Sequence, residues 1–210
     1  MREKREGPAP GAAPEERRGR LFFPWPPRRL PWARPVQVAF RTVHVAAMAL
    51  FLVRDHGWSE AQYGLLATLN TLLVVAFEVP LNSAMAHWPA RRSLPLGAIL
   101  TGVGFGLLAF ADAPAMVLVS VVVWTFGEIV LFPGLNAAVA DLAPEARRGE
   151  YMGLYMMSFN LAFAIGPWAG TAVLERWGGN ALWGAAFLAA IVSAILLSRT
   201  APASAEGEKP

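Results

Sequence analysis

The sequence predicts an all-α, polytopic membrane protein with six transmembrane helices. Three observations carry that reading. Apolar runs near 20 residues recur along the 210-residue chain, and each can cross roughly 30 Å of hydrocarbon at about 1.5 Å per helical residue. Only 16% of the residues are charged, against about 25% in a soluble domain, and most of those charges lie between the runs. The connections are short, and their Lys and Arg gather on one side if the helices alternate.

Residues 1–34 read as a disordered, basic cytoplasmic tail, because Pro, Gly, Ala and charge leave too little apolar surface to order them. Its one apolar piece, LFFPWPP, is too short and proline-rich for a secretory signal core. The spans follow at about 36–53, 61–85, 94–111, 115–140, 151–173 and 180–198. They are joined by RDHGWSE, AHWPARR, DAP, DLAPEARRGE and ERWGGN, loops short enough to make neighbours antiparallel. The transmembrane domain is therefore 35–198, with a cytoplasmic C-terminal tail over 199–210.

Alternation puts fifteen Lys and Arg on the side of both termini and only Arg54 and Arg176 on the other. The positive-inside rule then places both termini in the cytoplasm, with a bacterial inner (plasma) membrane as the expected location. Trp32, Trp58, Trp88 and Trp177 fall near span ends, where an aromatic belt belongs.

Several chemistries are excluded. The chain has no cysteine, so disulfides and thiol catalysis are absent. His44, His56 and His87 lie in different segments without metal-ligand spacing. There is no GxSxG, no HExxH and no phosphate-binding glycine loop. The expectation is a non-enzyme with no cofactor and no metal. Its partners are the lipid bilayer and a small-molecule substrate; nucleic acid is excluded, because topology accounts for the basic residues.

The polar residues inside the spans carry what chemistry remains. Glu128 stands near the centre of the fourth run, where a carboxylate costs roughly 2.5–3.5 kcal/mol on insertion scales and seldom persists without a polar neighbour or a task. Thr125, Glu128 and Phe132 share a helical face, followed by Pro133, Gly134 and Asn136. In the second span Thr71, Glu78 and Asn82 lie close to one face, with Pro80 interrupting the helix. In the first span Gln37, Arg41, His44 and Met48 form a stripe. Glu128, Glu78, Arg41 and His44 are the candidates for substrate binding or proton coupling; Gln37, Thr71, Asn82 and Asn136 are the cavity-lining candidates. Gly102 and Gly106 form a GxxxG suited to close helix packing, and Gly166 with Pro167 suggests a hinge or kink in the fifth span.

Four stretches, GWSEAQYGLLATLNTLLVVAFEVPL, RRSLPLGAILTGVGFGLLAF, LFPGLNAAVADLAPEARRGEYMGLY and NLAFAIGPWAG, resemble the C-terminal six-helix half of a major facilitator superfamily transporter of the multidrug-efflux kind. The order Ser-x-x-Gln-Tyr-Gly-Leu-Leu, then an Asn in the helix, is similar to that family's eighth helix. The loop HWPARR keeps Arg91 and Arg92 but lacks the family's aspartate and glycine. The resemblance implies a major-facilitator half-bundle and a secondary active transporter, or half of one, working by alternating access with proton-coupled efflux. The alternative is a non-transporting membrane scaffold or partner subunit. In that family the substrate site lies between two halves. A second six-helix half is therefore expected as a separate chain, a missing gene segment or a second copy in a homodimer.

Overall fold

Every regular element among the described residues is helical. The computed structural model describes residues 46–201. The tail over 1–34, most of the first span with Gln37, Arg41 and His44, and residues 202–210 lie outside the described residues. Helix α1 covers Ala46–Ala49 and continues as a π-helix over Leu50–Asp55. Helix α2 is Glu60–Ala84, α3 is Ala90–Leu107 with a 3-10 turn over Leu108–Phe110, α4 is Pro114–Leu142 and α5 is Arg148–Thr200. Four helices among the described residues are long and apolar enough to cross a membrane, the last running over Glu145–Arg199.

That last helix joins the fifth and sixth predicted spans. It is broken at Gly178, where φ is 79° and ψ is 175°. Such a backbone is essentially reserved for glycine, because a Cβ would clash. Tyr155 of the arm over 148–177 and Leu197 of the arm over 179–200 join one buried cluster, so the chain folds back at Gly178. The break falls within the predicted ERWGGN connection, and the backbone dihedrals stay helical through Pro167.

Helix α3 sits between α4 and the second arm of α5. Small residues make this possible. A Cβ on Gly127 would strike the backbone N and Oγ1 of Thr101, and one on Gly104 would strike the backbone of Trp124. Gly102 and Gly106 face the second arm instead, against Ala190 and Phe187. Ser120 strengthens the α3–α4 seam by donating its hydroxyl to the Gly104 carbonyl at 2.7 Å. Aromatic rings then tie three helices together, with Phe105 of α3 stacked between Trp124 of α4 and Trp183 of α5. Phe51, from the π-helix, meets Trp183 edge-on at 5.1 Å.

Two contacts relate the loops. Arg54 Nη1, after the first span, lies 3.9 Å from Glu175 Oε1, at the end of the fifth. Arg91, after the second span, donates through Nε to the Ala201 carbonyl at the end of the sixth, at 2.7 Å. The first connection thus meets the fifth, and the second meets the end of the last helix. Arg54 also hydrogen-bonds Asp55 at 2.7 Å, which holds that exposed carboxyl below its ordinary range.

Among the described residues helix α2 leans chiefly on α4. Leu65, Leu72, Val75 and Val79 are all exposed along it.

Candidate functional site

The site forms where α2 crosses α4. Helix α2 begins at a capping box: Ser59 Oγ accepts from the Gln62 backbone N–H, and Gln62 Oε1 accepts from the Ser59 N–H. The Ser-x-x-Gln phrase is therefore a helix start signal, which satisfies two orphaned donors and fixes where α2 begins. Several turns later Asn70 points its side chain at α4.

Asn70 Nδ2 donates to Glu128 Oε2 at 3.0 Å and to Thr125 Oγ1 at 2.9 Å. Thr125, fully buried, donates its own hydroxyl back to the Val121 carbonyl at 2.6 Å. Glu128 and Thr125 are three residues apart on α4 and so share a face, which lets one amide reach both. Glu128 is half-buried. A second amide bridge runs from Asn82 Nδ2 to the Ile129 carbonyl at 3.1 Å, with Nδ2 also donating to the Glu78 carbonyl at 2.8 Å. Two carboxamides on α2 thus grip α4 on the segment that carries Glu128.

The other predicted residues fall in different places. Glu78 is half-buried on α2, and its carboxylate is outside the Asn70–Thr125–Glu128 cluster. Thr71 is exposed and returns its hydroxyl to the Ala67 carbonyl at 2.9 Å. Asn136 is exposed on α4. Phe132, on the Glu128 face, meets Phe159 of α5 edge-on at 6.2 Å. The structure brings Glu128, Thr125 and Asn82 to the α2–α4 contact and leaves Thr71 off it. Asn70 was not among the candidates read from the sequence. Its signal was a carboxamide deep in an apolar run, the same Asn that follows the Ser-x-x-Gln phrase.

Among the described residues no group of three or more His, Asp or Glu could hold a metal ion. The chemistry on offer is that of an acid held by an amide donor inside a bundle of membrane-length helices.

The pattern described as Major Facilitator Superfamily matches residues 36–210. The chain belongs to the Major Facilitator Superfamily. Among its relatives in that superfamily is the uncharacterized MFS-type transporter YqjV of Bacillus subtilis (strain 168), 27% identical over 118 residues, covering 56% of this chain and 28% of that protein. The multidrug resistance protein MdtH of Aeromonas hydrophila is 29% identical over 132 residues, covering 61% of this chain and 33% of MdtH. The fold is similar to that of a peptide transporter POT crystallised with alafosfalin. There the TM-score is 0.63 at 17% identity, over 80% of this chain and 36% of that one. This Major Facilitator Superfamily chain thus spans about a third of the length of the relatives it matches.

Proposed function

We propose that the chain is one six-helix half of a secondary active transporter that exports small lipophilic molecules in exchange for protons. The observation that carries this reading is Glu128, a carboxylate midway along a membrane-length helix that accepts a hydrogen bond from the neighbouring helix. Ionisable groups at that depth are expensive and mark solute or proton pathways. Glu128 is the proton-coupling residue in this reading and Glu78 the second carboxylate. Arg41 and His44, from the first span, supply positive charge to the same cavity, with Gln37, Thr71, Asn82 and Asn136 lining it.

A second six-helix half completes the cavity, since this chain spans only about a third of its relatives' length. The excess of Lys and Arg on one side supports an orientation with both ends of the domain in the cytoplasm of a bacterial cell. The direction of transport draws support from the multidrug name of the Aeromonas relative. The test is Glu128→Gln in everted membrane vesicles, read by proton-driven uptake of a lipophilic fluorescent dye. Uptake is expected to be lost while expression is retained. Unchanged uptake removes Glu128 from the mechanism.

A further inference from the structure

The geometry points to Asn70 as a positioning residue that presents only hydrogen-bond donors to Glu128. The argument follows the hydrogens. A threonine hydroxyl has a single proton to give. Thr125 spends it on the Val121 carbonyl at 2.6 Å, in a fully buried setting. Its oxygen can then meet Asn70 only as an acceptor, at 2.9 Å. The Asn70 amide must therefore turn its NH2 toward α4. Of that group's two hydrogens, one goes to Thr125, and the other reaches Glu128 Oε2 at 3.0 Å.

The chain of donation runs from the Asn70 amide to Thr125 and from Thr125 to a backbone carbonyl of α4 that cannot move without unwinding the helix. Thr125 thus sets which end of the amide faces the carboxylate. Asn70 in turn selects one rotamer of Glu128 and ties the carboxylate to α2. Any movement of α2 across α4 changes the donor that Glu128 feels, so the position of one helix is transmitted to the acid on the other. This inference rests on the reading of Glu128 given above, and the following experiment separates the two.

The full chain is reconstituted in phospholipid vesicles, and the infrared carboxylate bands of Glu128 are isolated by subtracting the spectrum of Glu128→Gln. Asn70→Leu is expected to displace those bands, because the donor is gone. Thr125→Val keeps the side-chain shape yet frees the amide to turn, so it should displace them too, and Thr125→Ser should restore the native position. Bands that coincide with the native ones in both Asn70→Leu and Thr125→Val overturn the proposal. If Asn70→Leu fails to fold, the Val and Ser pair at Thr125 decides alone. Displaced bands in a protein whose Glu128→Gln variant still drives dye uptake uphold the positioning role and overturn only the coupling reading.

Discussion

The side-chain amide of Asn82 on α2 takes the place of a backbone donor that α4 lacks at Ile129. Residue 133 is proline, so no N–H exists to close the helical bond back to the Ile129 carbonyl. Ile129 is buried, so its carbonyl needs a partner from the protein itself. Asn82 Nδ2 reaches it at 3.1 Å from the neighbouring helix. The helix consequently runs unbroken from Pro114 to Leu142 through a residue that would otherwise interrupt it.

A double-mutant cycle tests this substitution of donors. Asn82→Leu alone should destabilise the protein by about 1–2 kcal/mol, in the range measured for interhelical hydrogen bonds in membranes. Pro133→Ala restores the backbone N–H and should make the loss at Asn82 nearly silent. Denaturation in detergent micelles measures both, and equal costs in the two backgrounds would sink the idea.

The glycines of the α3–α4 seam should be far more sensitive than those on open faces. Gly127→Ala forces a methyl against the Thr101 backbone, and overpacking of this kind costs typically about 1–3 kcal/mol. Gly64→Ala, on α2, meets nothing within 4 Å among the described residues and should be neutral or slightly stabilising, since it also lowers the entropy of the unfolded chain. Melting curves of the two variants should separate clearly.

At Gly178 the constraint is backbone conformation, because among the described residues a Cβ there would meet nothing within 4 Å. Gly178→Ala is expected to cost about 1–3 kcal/mol. Gly178→Asn should not rescue it, since the ψ of 175° lies away from the left-handed helical region that asparagine tolerates. Gly184→Ala, also with nothing within 4 Å among the described residues, is the matched control and should melt like the native protein.

Arg91 closes the far end of α5 through its bond to the Ala201 carbonyl. A cation at a helix C-terminus is worth about 0.3–1 kcal/mol at an exposed site. Arg91→Ala should therefore speed amide exchange severalfold in the last turn before Ala201, with little change elsewhere. Arg91→Lys should recover only part of the protection, because lysine supplies charge without the guanidinium's fixed fork.

The spans were readable because hydropathy is a local property. The run from Ala115 to Ala140 declares a buried helix whatever packs on it, and a lone carboxylate inside it declares itself at Glu128. Helix wheels were less informative about the partners. Thr71, Glu78 and Asn82 share a face of α2 in sequence, yet Asn70 and Asn82 are the ones whose side chains hydrogen-bond α4, and Thr71 bonds its own backbone. A hydropathy pattern in a membrane has no single polar side to orient it, so the rotation of α2 is not legible from the helix wheel alone.

The amino-acid sequence alone determined the helical class, the apolar runs and the presence of an acid within the fourth of them, because each depends on residues close along the chain. Only the tertiary structure decided that Asn70 holds that acid, that Asn82 repairs the gap left by Pro133 and that the chain turns back at Gly178. The first two join residues 58 and 47 positions apart, brought together by helix packing that no local pattern encodes. The third rests on the two arms of α5 meeting in one buried cluster.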